Sequence, residues 1–322
     1  MKVKINNSAE IIGRVRIGSG SIVAQGTIIR SENDSIKIGN SSFILENTTV
    51  IGTEKHPVEI GSKTVFGHKC TVIGATLGNL CEVGNCTTIL EGAVIGDNCI
   101  FGEGTLILPN TVIPDNSVVL GRPGKIIRKT TDEDLEMIKR MRSGNIELLP
   151  YEENIIENIG VDEPLAKIYE FNGKVPKVGE TTLVMGSAEI TGDVVIGESC
   201  YIASGVKIVG DSHGPIIIGN NVQILENSVL HLLPENQLIL EDNVVIGPNS
   251  MIHGTIIGEN TIVESSSIVC DFSKIGKNSL IKSGALIPQR KEFEDNDILE
   301  GFPAKSIGKN KEILERPNWI NR

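Results

Sequence analysis

The feature that most constrains this chain is a period of six. In the first half, apolar side chains fall at Leu77, Val83, Ile89, Ile95, Phe101, Ile107, Ile113 and Val119, each six residues after the last. In the second half the same frame runs Ile257, Val263, Val269, Ile275, Ile281 and Ile287. Such a period matches neither the 3.6-residue turn of a helix nor the alternation of an ordinary strand. It fits a solenoid of short flat strands joined by tight turns, with three sides closing a coil of about 18 residues. Turn triplets such as Gly96-Asp97-Asn98 and Gly276-Lys277-Asn278 then supply positions where a positive φ is tolerated. A narrow triangular interior lined by Ile, Val and Leu leaves little room for rings. That accounts for an aromatic content of only 3% in 322 residues and argues against an aromatic-filled sandwich.

A longer repeat lies above the first. The string SAEIIGRVRIG (Ser8 to Gly18) returns as SAEITGDVVIG (Ser187 to Gly197), and GRPGK (Gly121 to Lys125) returns as GFPAK (Gly301 to Lys305). Even a register slip is copied, from Val72 to Leu77 and from Ile252 to Ile257, five residues in place of six. The chain is a tandem duplication. The expected fold is all-β: two tandem solenoids of short strands with a short α-helix after the first. The expected divisions are a first solenoid with its C-terminal helix over 1–146, a linker over 147–180, and a second solenoid over 181–322. The helix is read over Thr130 to Asn145, with Thr131 as N-cap, Asp134 three residues on, and Leu135, Ile138 and Met141 on one apolar face packed along the first solenoid. A second short helix is expected near Ile155 to Ile159, and a short tail with Trp319 after Lys309. Excursions break the period near Ser31 to Ser35, Gly52 to Pro57, Gly210 to Pro215 and Leu232 to Gln237, and one-sided excursions are where solenoids usually build binding surfaces.

Charge and composition exclude several classes. Lys+Arg 30 against Asp+Glu 41 gives a net charge of -11, which repels a phosphate backbone, and the scarcity of rings removes stacking platforms for single strands. No nucleic-acid partner is expected. The N-terminus MKVKINNSAEIIG lacks an apolar targeting core, and no apolar run approaches the roughly 20 residues that span a bilayer, so a cytoplasmic protein without membrane association is expected. Cys70, Cys81, Cys86, Cys99, Cys200 and Cys270 form no C-x-x-C pair and read as small core or surface residues.

The run from Ile60-Gly61 through FGHKCTVIGATLGNLCEVGNCTTILEGAVIG and VIPDNSVVLGRPGKIIR resembles the left-handed β-helix proteins of the hexapeptide-repeat superfamily, and within it the γ-class carbonic anhydrase-like branch, so the resemblance implies two tandem left-handed parallel β-helices. The second copy resembles the same branch through QILENSVLH, IGPNSMIHG and GFPAK. The resemblance implies a three-fold oligomer holding a divalent metal, zinc or iron, between neighbours. Two histidines then come from one subunit, in motifs like N-S-V-x-H and V-L-H-G, and a third from its neighbour, in I-G-H-G. The first position is His231 in the second copy and Ile51 in the first; the second is His253 and Ile73; the third is His68 in the first copy and Pro248 in the second. Neither copy holds a full set. One interface between unlike copies does, divided as the family divides it. A ring of like units never brings His68 to His231 and His253, so the composite site needs a first unit beside a second one, within or between chains.

Supporting elements divide similarly. The interface pair of the family's L-R-G-D element is Arg30 with Glu32 in the first copy and Val209 with Asp211 in the second. Glu46 and Glu226 stand where the family has Asp and are the carboxylates to weigh as catalytic groups; Leu45 and Leu225 replace the amide that the family places beside its metal-bound water. No acidic proton-shuttle loop is recognisable. His56 and His213 lie in excursions and read as solvated loop residues. Three readings remain open. One is hydration of carbon dioxide to bicarbonate at a composite site of His68, His231 and His253. The second is a non-catalytic scaffold in which the surviving histidines are ordinary interface residues. The third is a hexapeptide acyltransferase, since GFPAK-type ends occur there too, although no lone histidine sits in an obvious acceptor motif. Each is expected in a homo-oligomer.

Overall fold

A computed structural model describes residues 2–160, 167–211 and 214–320. The chain divides into two compact units, Met1–Val161 and Asp162–Arg322, each a left-handed parallel β-helix of three-sided coils. In the first unit one column of inward side chains runs in register through Ile17, Ile38, Ile60, Leu77, Ile95 and Ile113, all buried. The step from Ile60 to Leu77 is one residue shorter than the coils that follow, which is the register slip absorbed without losing the column. In the second unit the equivalent column is Ile196, Ile218, Leu240, Ile257, Ile275 and Phe293. Few rings enter these interiors. Phe66 and Phe101 are buried in the first.

Strand Glu10–Gly18 shows how a coil turns a corner. Its first residues pair with Ile28–Ser31 and its last with Ile36–Ile38 on the next side of the triangle. Gly13 occupies the corner at φ +79, where a Cβ would meet the Ser31 carbonyl at 2.1 Å, so only glycine fits. Elsewhere the corners use asparagine: Asn98 and Asn278 take φ of +55 and +53, as the turn triplets lead one to expect. Residues that enter the strands from these turns tie one coil to the next. Thr64 Oγ1 donates to the Gly78 carbonyl at 2.8 Å, and the thiols of Cys81, Cys99 and Cys200 reach the Gly96, Pro114 and Gly219 carbonyls at 3.1–3.3 Å. These cysteines therefore stand in for Ser or Thr. All six cysteines are free, and Cys86 is exposed.

Three local readings change. The segment Glu153–Ile159 is a strand, not a helix, paired antiparallel with Glu10–Gly18. Its isoleucines satisfy the otherwise unpaired edge of the first coil, and β-branched residues fit a pleated surface better than a helix. The stretch 147–180, expected as a linker, is consequently shared out: Glu153–Ile159 belongs to the first unit, while Lys167–Tyr169 and Lys177–Val178 begin two sides of the second. Finally, the α-helix spans Asp132–Met141 with the expected Thr131 capping box, yet of its apolar stripe only Ile138 is buried; Leu135 is 37% and Met141 56% exposed.

Polar contacts do the rest of the helix's anchoring. Arg142 donates to the Lys63 carbonyl from Nε and Nη2, at 3.1 and 2.6 Å, and to the Cys81 carbonyl at 3.3 Å, and it pairs with Glu82. Lys63 Nζ returns two hydrogen bonds to Asn145. In the second unit the C-terminal tail plays the corresponding part, with Arg316 donating to the Asn221 carbonyl and Leu314 N–H to Asn278 Oδ1. Among the described residues no helix is long and apolar enough to cross a membrane.

Candidate metal centre

In the second unit, strand pairing aligns Val229 with Met251 and Leu230 with Ile252, so the next residues, His231 and His253, occupy equivalent stations on successive coils. Their backbones are pinned by the ladder: His231 N–H donates to the Ile252 carbonyl at 3.0 Å and His253 N–H to the Val269 carbonyl at 2.8 Å. Both side chains project outward and are about one-third exposed. The rings meet edge to face, with centroids 6.1 Å apart and planes at 82°.

Each imidazole faces a carboxylate. Asp211 Oδ1 lies 3.4 Å from His231 Nε2, and Asp271 Oδ2 lies 3.2 Å from His253 Nδ1. Asp271 is buried and is itself held by N–H groups of Leu233 and Gly254 at 3.1 Å and of Asn236 at 3.3 Å. Neither Asp271 nor Asn236 stands out in the sequence. The signal that would have found Asp271 is its distance from His253, 18 residues or one coil downstream. Glu226 is fully buried, and Leu225 before it is buried too, so the amide position is filled by an aliphatic group.

In the first unit, His68 sits on the turn after strand Val65–Phe66. Its side chain is 57% exposed, with Nδ1 2.6 Å from Glu46 Oε2. The stations of the histidine pair are held by Ile51 and Ile73, directly paired across their strands and fully buried. Arg30 pairs in register with Ile51 and is buried, while Leu45 is half-buried. His56 is half-buried rather than solvated. Its excursion closes as a tight turn, with Thr53 N–H donating to the His56 carbonyl and His56 N–H to Thr53 Oγ1. In the second unit Pro248 is buried at the station His68 holds in the first. His213 lies outside the described residues.

Among the described residues no group of three or more His, Cys, Asp and Glu side chains is placed to hold a metal ion. The donor chemistry of the second unit nonetheless suits two of three ligands. Zn–N bonds of about 2.0–2.1 Å at a tetrahedral angle put two imidazole centroids about 5 Å apart, within a modest side-chain adjustment of the observed separation. Neutral imidazoles backed by carboxylates are the usual first and outer shells of such a centre.

Comparison with known proteins gives a consistent set of relatives. Residues 57–91 and 237–269 match the family described as the hexapeptide repeat of succinyl-transferase. A carbonic anhydrase of Geobacillus kaustophilus is 39% identical over 140 residues, covering 44% of this chain and 76% of that protein. The carnitine operon protein CaiE of Escherichia coli is 29% identical over 139 residues, covering 43% of this chain and 70% of that protein. A crystal structure of a Bacillus cereus protein assigned as an acetyltransferase shares 35% identity and a TM-score of 0.44, covering 45% of this chain and 83% of that one.

Proposed function

Because the chain belongs to the hexapeptide-repeat superfamily, in its γ-carbonic anhydrase-like branch, we propose that it binds a divalent metal, zinc or iron, through His231, His253 and His68 and hydrates carbon dioxide. The observation that carries this reading is the His231–His253 pair, two outward imidazoles 6.1 Å apart on adjacent coils, each backed by a carboxylate. His231 and His253 bind from one second unit, and His68 is the third donor, contributed by a first unit in a homo-oligomer. When bound, the ion supplies the Lewis acidity that ionises water near neutral pH.

The chain's own residues then set what happens around it. The ladder hydrogen bonds of His231 and His253 fix both Cα positions, so only side-chain torsions are left to adjust. Glu46 orients His68 by holding its Nδ1 side. Leu225, buried where the family has an amide, cannot donate or accept a hydrogen bond, so water at the site is oriented by fewer groups than an amide would provide. Turnover is therefore expected to be slow. The same leucine favours a second reading, a metal-binding but non-catalytic assembly protein.

One experiment addresses both. Full-length protein purified anaerobically is analysed for metal content and for carbon dioxide hydration by stopped flow, beside His231→Ala, His253→Ala and His68→Ala. The proposal expects stoichiometric metal and measurable hydration, both lost in each variant. Metal without hydration selects the assembly reading. Absence of zinc, iron and cobalt from the wild-type protein refutes both.

A further inference from the structure

We propose that Asp271 is a positioning residue for His253, fixing its imidazole as the Nδ1–H tautomer so that Nε2 keeps the free lone pair. The inference rests on the metal-binding reading for its purpose and on the second unit alone for its geometry. Asp271 Oδ1 receives three N–H groups from separate places: Leu233 and Asn236 in the 232–237 excursion, and Gly254 next to His253 itself. That leaves Oδ2 to face the ring, 3.2 Å from Nδ1. His253 Nδ1 is shielded from solvent and has no aligned hydrogen-bond partner among the described residues, so the carboxylate is the acceptor within reach of it. An ionised carboxylate only accepts, and a neutral imidazole carries one proton. The proton therefore belongs on Nδ1, and Nε2 is left as the donor atom for a metal.

This also assigns a role to the excursion over 232–237. It supplies two of the three donors that clamp the carboxylate. The first unit provides an internal comparison 180 residues earlier. There His231, His253 and Asn236 are replaced by Ile51, Ile73 and His56, and Asp271 by the longer carboxylate Glu91, so the two rings and the clamping amide are lost together.

The test uses the full chain with ring-15N-labelled histidine, stripped of metal, at a pH above the ordinary imidazole pKa of about 6.5. Long-range proton–nitrogen correlation reads the tautomer, with His253 assigned by difference from His253→Gln. Wild type is expected to show a single tautomer protonated on Nδ1. In Asp271→Asn the amide oxygen keeps the three N–H donors and the amide nitrogen faces the ring, so the proton is expected to move to Nε2. Zinc affinity, measured by chelator competition, should fall about 10- to 100-fold. Asn236→Ala, a milder change, should give partial loss of the wild-type tautomer. A wild-type His253 protonated on Nε2, or an Asp271→Asn tautomer like that of wild type, overturns the inference. A tautomer switch in protein that binds no metal supports the positioning role and refutes the metal reading; metal binding with unchanged tautomer and affinity in Asp271→Asn does the reverse.

Discussion

Arg142→Ala should detach the helix Asp132–Met141 from the first unit while leaving the coils beneath it folded. The Arg142 and Glu82 side chains are 7% and 11% exposed, and the guanidinium serves the carbonyls of Lys63 and Cys81 as well as the carboxylate. Truncation leaves Glu82 buried without its cation, a loss of about 3–5 kcal/mol. Against that, the one buried apolar residue of the helix, Ile138, contributes about 1.5–3 kcal/mol and the Thr131 capping box about 1 kcal/mol. A 10-residue helix has little stability of its own. Hydrogen exchange read by mass spectrometry separates the outcomes. Peptides covering 132–141 should lose about 100-fold or more in protection, at 1.4 kcal/mol per decade, while peptides from the strands around Val65 and Val83 stay protected. Arg142→Ala with Glu82→Gln should recover part of the loss, because no unpaired charge is then buried. Unchanged protection in the single variant, or a double variant no better than the single, would refute the argument.

Asn278→Ala should release the C-terminal tail: Asn278 holds φ +53, donates to Asn296 Oδ1 and the Glu312 carbonyl, and accepts from Leu314 N–H. The left-handed backbone costs alanine about 1–2 kcal/mol, and the emission of the buried Trp319 should shift to the red. Asn278→Gly, free of that strain, should show the same shift with a smaller fall in Tm. The helix cap gives a pH dependence. The Arg128 guanidinium, with the N–H and hydroxyl of Thr131, holds the Asp134 carboxyl well below the usual carboxylate range. Its stabilising effect is complete above the ordinary value and disappears as pH falls through the lower folded value. At pH of about 3.9, where a free aspartate is half protonated, Asp134 should remain ionised in a carboxyl NMR titration, and Arg128→Ala should move its midpoint up.

Legibility differed by residue. Ile17, Ile38 and Ile60 announce their column through the period, and Thr131 and Asp134 announce the helix start, because both patterns are local. The strand Glu153–Ile159 is not legible locally, because its partner, Glu10–Gly18, lies about 140 residues away, and an isoleucine-rich run alone does not reveal which edge it will satisfy. The helix stripe misled for a related reason: spacing shows which side chains share a face, but not how much of that face the solenoid covers. At the candidate centre, His231 and His253 are legible as motif residues. Asp271 and Asn236 are not, because Asp271 reaches His253 from the next coil, Asn236 reaches Asp271 in turn, and neither shares a local motif with the ring.

By itself the sequence determined the solenoid, its duplication, its asparagine corners and the unequal division of three histidines between the copies. These follow from periodicity and residue identity, which act over a few positions at a time. Tertiary structure alone decided that Glu153–Ile159, within the expected linker, is a strand of the first unit, that Arg142 rather than an apolar stripe docks the helix, and that a buried carboxylate one coil away faces His253. Each of those depends on buried polar groups finding partners, and in a solenoid the partner stands one coil away or at the far end of the unit.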